Sequence, residues 1–155
     1  MNNVDTLKFR VGISGTYWGE KRPEYSIAIS GKEYVRGFIE AESDVETIIE
    51  FDAVLDEGAH RLEIGFLNKN TTTDVVKDEY NNVVQDILLN ITSLEIEDID
   101  LANLRYSHSH VELVKKQIYN GAIVSKIDNC VNLGFTSTYV LEFTSPFYIW
   151  LLENL

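Results

Sequence analysis

The sequence predicts an all-β protein, a jelly-roll β-sandwich of about eight or nine antiparallel strands with a short helix near its carboxyl end. Apolar and polar residues alternate along most of the 155 residues, which is the pattern of half-buried strands. Turn-forming residues separate the alternating runs, and little of the chain favours helix. The length fits one domain, residues 1–155, with a single sizeable core.

The first strand is predicted at residues 7–13, Leu-Lys-Phe-Arg-Val-Gly-Ile, because its apolar side chains all fall on one face. Residues 24–29 and 32–38 also alternate, and they flank Ser30 and Gly31. Glycine supplies the positive φ that a tight turn needs, so these two segments predict a β-hairpin.

A second hairpin is predicted from residues 45–55 and 59–67, with Asp-Glu-Gly at 56–58 as its turn. The next segment, residues 68–85, is too polar for a core strand and longer than usual hairpin loops. Loops of this length are often functional or mobile.

Residues 86–101 predict a long strand whose alternation slips around Thr92 and Ser93 and again at Asp98, so we expect bulges or a break there. The pattern at residues 110–119 is ambiguous between a short helix and a strand. A further strand, interrupted by Gly134, is predicted within residues 131–143.

The last residues predict a short helix. Ser145 is expected to cap it and Pro146 to occupy its first turn. Residues 147–155 are apolar for their length, so the segment packs either against the sandwich or against a neighbouring subunit. Either arrangement buries Trp150.

Composition excludes several classes of function. A net charge of −12 with only 13 basic residues argues against binding nucleic acid. No run approaches the roughly 18 apolar residues of a membrane span, and the Met-Asn-Asn-Val-Asp start lacks signal-peptide features. We therefore expect no membrane contact and a location in the cytoplasm of the producing cell. Cys130, the single cysteine, is expected to be a small buried side chain.

The polar loop carries the first candidate site. Its carboxylate and amide oxygens are the ligands that calcium prefers, although their spacing is not that of an EF-hand. The alternative is a solvated acidic loop. The candidate metal ligands are Asn68, Asn70, Asp74, Asp78 and Asp86.

The strand order around this loop resembles the calcium-dependent xylan-binding carbohydrate-binding modules. The resemblance rests on residues 63–70, Glu-Ile-Gly-Phe-Leu-Asn-Lys-Asn, followed by a loop and by Asp-Ile-Leu-Leu-Asn-Ile at 86–91. It covers about residues 7–104, and the loop is longer and more acidic than in the family. It implies a β-sandwich whose loop oxygens bind calcium while the ion coordinates vicinal sugar hydroxyls.

Tyr17 and Trp18, which lie between glycines in an expected loop, form the second candidate site. An exposed aromatic ring can stack on a sugar or anchor a protein interface, and it can equally fold over the edge of the sandwich. His108 and His110 would share a face if they lay on one strand, but no third metal ligand except Glu112 is near them in sequence.

No phosphate loop, nucleophile elbow or cysteine–histidine pair is present in the sequence, so we expect no enzyme. The primary functional hypothesis is a carbohydrate-binding-module-like protein that binds glycan through calcium. The alternative is a virion structural protein, a decoration or fibre-associated subunit, whose partners are other virion proteins or copies of itself. Composition and the Phe-Tyr-Ile-Trp-Leu-Leu-Glu-Asn-Leu ending also resemble small proteins of cyanobacterial tailed phages.

Overall fold

The structure is a computed structural model that describes residues 4–155. The first three residues, which entered the localisation hypothesis, lie outside the described part. Nine of the described strands have six or more residues, and the others are short. The strands are β1 (Val4–Thr16), β2 (Glu24–Ile29), β3 (Lys32–Phe38), β4 (Thr47–Asp56), β5 (Gly58–Phe66), β6 (Val76–Lys77), β7 (Val83–Gln85), β8 (Leu88–Ile96), β9 (Ile99–Asp100), β10 (Ser109–Tyr119), β11 (Ala122–Asp128), β12 (Asn132–Leu133) and β13 (Ser137–Ser145), and the helices are α1 (Leu104–Ser107) and α2 (Phe147–Asn154).

Two antiparallel sheets form the body of the protein. The first, sheet A, has the order β12-β8-β1-β4, with β9 beside β8. The second, sheet B, has the order β11-β10-β13-β5-β2-β3, and β6 pairs with β7 as a separate small hairpin. The prediction of an all-β sandwich with a short carboxyl-terminal helix is confirmed.

The core lies between the two sheets because each long strand buries alternate side chains. Phe9 and Val11 of β1 are fully buried, as are Ile64 of β5 and Tyr139 of β13. The Phe9 ring stacks on Phe51 of β4, with centroids 5.1 Å apart. Burying a large apolar side chain contributes about 1.5–3 kcal/mol, so this alternation is the main source of stability.

The predicted hairpin of β2 and β3 is confirmed, with Ser30 and Gly31 at its turn, both at positive φ. The second predicted hairpin is wrong. β4 pairs with β1 in sheet A, whereas β5 pairs with β13 and β2 in sheet B. The turn at residues 56–58 therefore carries the chain from one sheet to the other.

The predicted slip in the long strand is confirmed, since the β1–β8 register shifts where Ile91 and Ser93 flank Thr92. The second break is a turn at Glu97 and Asp98, both with positive φ. The ambiguous segment at 110–119 is a strand, most of β10. The polar segment 68–85 also contains the small β6–β7 hairpin, which alternation did not predict.

The cap of α2 differs from the sequence-based expectation. Ser145 makes no capping contact with the helix and donates its hydroxyl to Asp5 Oδ2 at 2.5 Å. The same Asp5 oxygen accepts the backbone N–H of Phe147 at 3.0 Å. Pro146 precedes the helix in extended conformation, and Phe147 begins it. Asp5 of β1 therefore caps the helix from across the fold.

Candidate functional site

Two of the predicted metal ligands form hydrogen bonds to the backbone around the loop that follows β5. Asn68 Oδ1 accepts the N–H of Glu24 at 2.8 Å, and Asn68 Nδ2 donates to the carbonyl of Arg22 at 2.9 Å. Asn70 Oδ1 accepts the N–H groups of two residues that follow it, Thr72 and Thr73.

Asp78 organises the turn between β6 and β7 in the same way. Its Oδ1 accepts the backbone N–H groups of Asn82 and Tyr80, both at 2.9 Å. These hydrogen bonds, that from Asn82 most strongly, lower the pKa of Asp78 below its ordinary value. The carboxylate is therefore used to form a tight turn on the surface.

Asp74 is buried, with 2% of its surface exposed, and its charge is matched by a lysine. Lys21 Nζ lies 2.9 and 2.8 Å from the two carboxylate oxygens of Asp74. Oδ2 also accepts the N–H of Asn70 at 2.8 Å. The Lys21 ammonium thus neutralises Asp74 from the loop before β2.

Asp86 has a second lysine partner. Lys69 Nζ lies 2.5 Å from Asp86 Oδ1 and also donates to the carbonyl of Ile87 at 2.6 Å. The Lys69 side chain is only 1% exposed, which is rare for a lysine. The ion pair lets this charge lie inside the protein.

The five predicted ligands do not fit a calcium ion in this arrangement. Calcium takes about six to eight oxygen ligands, and two of the carboxylates already bind ammonium groups while the amides bind backbone. Within residues 4–155, no three His, Cys, Asp or Glu side chains form a group that could hold a metal ion. Calcium would have to displace Lys21 or Lys69, so the calcium site stays a prediction that this geometry does not support.

The predicted ligand-binding rings are half-buried and pack against the core. Tyr17 donates its hydroxyl to the carbonyl of Ala41 at 2.8 Å, and the Arg22 guanidinium lies 4.0 Å from the Tyr17 ring centroid. Trp18 Nε1 donates to the carbonyl of Asp74 at 2.8 Å. A sugar stacks on an open ring face, and Arg22 covers one face of Tyr17.

The two histidines considered as a metal pair lie on different elements. His108 follows α1, where its Nε2 lies 3.1 Å from Asn154 Oδ1 and its ring is nearly perpendicular to that of Trp150, with centroids 6.0 Å apart. His110 is in β10, with Nε2 2.9 Å from Glu112 Oε2. The predicted shared face therefore does not form.

Glu112 is the centre of a charged network on sheet B. It accepts from His110 and, at 2.7 Å, from the Arg61 guanidinium of β5. These two hydrogen bonds, that of His110 first, lower the pKa of Glu112. Cys130, which was expected to be buried, is only half-buried. This partial burial raises the pKa of its thiol, which keeps the sulfur protonated at neutral pH.

A groove of about 550 Å³ lies beside α2, where β5 and β13 approach the helix. Phe143 and Trp150 supply its apolar wall, and Arg61 and Glu142 lie on its polar side. His60 also lines it, with one ring nitrogen 2.9 Å from Ser30 Oγ and the other 2.6 Å from the carbonyl of Asp56. The groove is a concave surface with both apolar and charged borders.

The outer side of α2 is apolar. Phe147, Trp150 and Leu151 face inward and are buried. Tyr148, Ile149 and Leu152 face outward and are exposed, Leu152 at 75%. We call these three outward residues the helix face. A helix that is apolar on both sides is typical of one that another chain or element covers.

A second exposed apolar surface lies on the β10–β11 hairpin. Ile118 and Ile123 are directly paired across the two strands, and they are 74% and 73% exposed. Val114 and Tyr119 are also exposed. We call these four residues the hairpin tip. Their exposure follows from position, since the pairing of β10 with β13 ends at Leu113 and the hairpin continues beyond it.

The helix face and the hairpin tip lie at opposite ends of sheet B. Ser145, at one end of β13, pairs with Gly58 and leads into α2. Ser137, at the other end of β13, pairs with Leu113, beyond which the hairpin projects. The length of β13 therefore separates the two surfaces.

These features define an all-β sandwich with an exposed apolar surface at each end. Comparisons with models of known protein families, with curated proteins and with solved structures find no match to this chain. In the described part of the chain, no helix is both long enough and apolar enough to cross a membrane.

Sequence reasoning did not single out the hairpin tip. The signal was present, because residues 113–127 contain groups of apolar residues and three lysines but no carboxylate. That combination is unusual in a chain of net charge −12. The ambiguity between helix and strand at 110–119 concealed which side chains would be exposed.

Proposed function

We propose that this protein is a non-enzymatic assembly subunit, a β-sandwich that associates with other protein subunits through its exposed apolar ends. The observation that carries the proposal is the pair of apolar surfaces, the helix face and the hairpin tip, on an otherwise strongly acidic chain. Groups of exposed apolar side chains are typical of protein interfaces. This is the role of a decoration or fibre-associated subunit.

The energetics support association. Each square ångström of apolar surface removed from water contributes about 25 cal/mol, and the side chains of Leu152, Ile118 and Ile123 are about three-quarters exposed. These residues contribute little to the stability of the single chain. Their burial against another subunit would recover that free energy.

Glycan binding is the second candidate function, and the groove beside α2 is the observation that favours it. The groove combines aromatic Trp150 with the hydrogen-bonding side chains of Arg61 and Glu142, which is the usual composition of a small-ligand site. A sandwich fold alone does not define a sugar site. Affinity electrophoresis on xylan, with calcium and with a chelator, tests this candidate together with the calcium prediction.

The test of the assembly proposal is sedimentation velocity of the wild-type protein over a wide concentration range. We expect species larger than the 17.7 kDa chain, with a fraction that rises with concentration. A 17.7 kDa species at every concentration up to the millimolar range would overturn the proposal.

A further inference from the structure

We infer that the protein associates with itself head to tail, the hairpin tip of one copy binding the helix face of a second copy. This inference rests on the proposed assembly function, and it names both the surfaces and the partner. Three observations carry it: the positions of the two surfaces, the opposite sign of the charged side chains beside them, and their complementary shape.

The positions of the helix face and the hairpin tip allow the same contact to repeat from one copy to the next. Because the two surfaces lie at opposite ends of sheet B, one chain cannot bring its own hairpin tip to its own helix face. A second copy can do so, and its own hairpin tip then remains free for a third. Such a head-to-tail interface produces a ring if the rotation closes and a filament if it does not.

Charge favours contact between a hairpin tip and a helix face over contact between two identical surfaces. The hairpin carries Lys115 and Lys116 near its tip, and residues 113–127 contain no carboxylate. Pairing two hairpin tips would bring these ammonium groups together, which is unfavourable.

The end of the protein that carries α2 has the opposite sign. Its carboxylates outnumber the neighbouring cations Lys32 and Arg61, of which Arg61 already pairs with Glu112 and Glu142. Pairing two helix faces would therefore concentrate negative charge, whereas the lysine-bearing hairpin is complementary to it. The carboxylates are those of Asp56, Glu142 and Glu153.

Shape agrees with charge. The hairpin projects past the last β13 pair at Leu113, so its Ile118 and Ile123 side chains form a protruding apolar ridge. The groove of about 550 Å³ beside α2 provides a concave apolar surface next to the helix face, walled by Phe143 and Trp150. A ridge at one end and a groove at the other suit each other better than two ridges or two grooves.

Two complementary variants test the inference. Ile118→Glu places a charge in the apolar hairpin tip and leaves the helix face intact. Leu152→Lys places a charge in the helix face and leaves the hairpin tip intact. Each variant alone retains only one competent surface, so we expect self-association to weaken at least tenfold. An equimolar mixture still has one intact pair, Ile118 of the Leu152→Lys chain against Leu152 of the Ile118→Glu chain. We therefore expect the mixture to form a complex of two chains in sedimentation velocity. The uncharged pair Ile118→Ser and Leu152→Ser, which introduces no new ion pair between the two altered surfaces, should form no larger species.

The matched control is Val54→Lys, which changes a similarly exposed apolar residue on β4 of sheet A. We expect this variant to associate like the wild type. Circular dichroism confirms that each variant is folded, and Ile118→Ser with Leu152→Ser repeats the experiment if a charged variant unfolds.

The outcomes separate the alternatives. Association of Leu152→Lys alone at wild-type strength would mean hairpin-to-hairpin pairing and would overturn the inference. Association of Ile118→Glu alone would mean helix-to-helix pairing and would also overturn it. In both cases the assembly function itself would stand. A wild-type protein that never associates would instead overturn the proposed function and this inference together.

Discussion

Lys69 is a cation held inside the protein by two oxygen atoms. Its ammonium lies 2.5 Å from Asp86 Oδ1 and 2.6 Å from the carbonyl of Ile87, and its side chain is 1% exposed. Removing one partner of a buried ion pair leaves the other charge without compensation, which is costly. The loop after β5 therefore depends on its carboxylates pairing with lysines.

We predict that Asp86→Asn lowers the free energy of unfolding by about 2 kcal/mol, less than for a fully buried pair because Asp86 is 27% exposed. Urea denaturation measures the change. The control is Asp128→Asn, whose pair with Lys126 is exposed and should contribute under about 0.5 kcal/mol. Equal losses in the two variants would contradict the structural role of Lys69.

Glu112 predicts a dependence of stability on pH. Its pKa is lowered by His110 and by Arg61, so the folded protein favours the ionised carboxylate more than the unfolded chain does. The resulting stabilisation is present above the ordinary pKa of glutamate and is lost as pH falls through the lowered value.

We therefore expect Glu112→Gln to be less stable than the wild type at neutral pH. Its melting temperature should also fall less than that of the wild type as the pH is lowered. Thermal unfolding from neutral pH to about pH 3 measures this, since the ordinary glutamate pKa is about 4.3. Glu79→Gln, on the exposed β6–β7 turn, is the control and should follow the wild-type curve. Identical slopes for all three proteins would show that Glu112 has no such role.

Among the elements, α2 depends on a residue far away in sequence. Asp5 of β1 accepts the N–H of Phe147 at the start of the helix and the hydroxyl of Ser145. A carboxylate here satisfies a free backbone N–H and interacts favourably with the helix dipole. The cap also ties the helix to the end of the sandwich.

We predict that Asp5→Ala lowers the free energy of unfolding by about 1 kcal/mol and that Asp5→Asn, which keeps an acceptor oxygen, loses less. Chemical denaturation measures both. Wild-type stability in the alanine variant would contradict the capping role.

The strands could be predicted from sequence because alternation is a local signal. The alternation of β1 and the Ser30-Gly31 turn each identify their element without reference to the rest of the chain. The β4–β5 connection was misassigned because the same turn residues serve a hairpin and a corner between sheets. The cap of α2 was missed because Asp5 is 142 residues from Phe147.

The candidate site was predictable only in composition. Sequence identified an oxygen-rich loop, and the structure pairs its Asp74 with Lys21, 53 residues away. Lys69 lies beside Asn68 and Asn70 in sequence, but only the fold turns its ammonium inward to Asp86. Long-range partners of this kind cannot be read from one sequence.

At the scale of the whole molecule, the charged side chains beside the two proposed contact surfaces differ in sign. The β10–β11 hairpin has three lysines and no carboxylate between residues 113 and 127, whereas carboxylates outnumber cations around α2. Salt screens such interactions, because the Debye length falls from about 30 Å at 0.01 M to about 3 Å at 1 M ionic strength. We expect association to weaken several-fold over this range and to persist through its apolar part. Sedimentation at the two salt concentrations measures it, and association that strengthens with salt throughout would mean that like charges meet.

The most direct test of the central claim, that this protein acts through its apolar ends and not through a calcium loop, is light scattering of the wild-type protein in calcium and in chelator. We predict a mass above 17.7 kDa that rises with concentration and is the same in both solutions. A monomer in chelator that associates only with calcium, or a monomer in both solutions, would contradict the account.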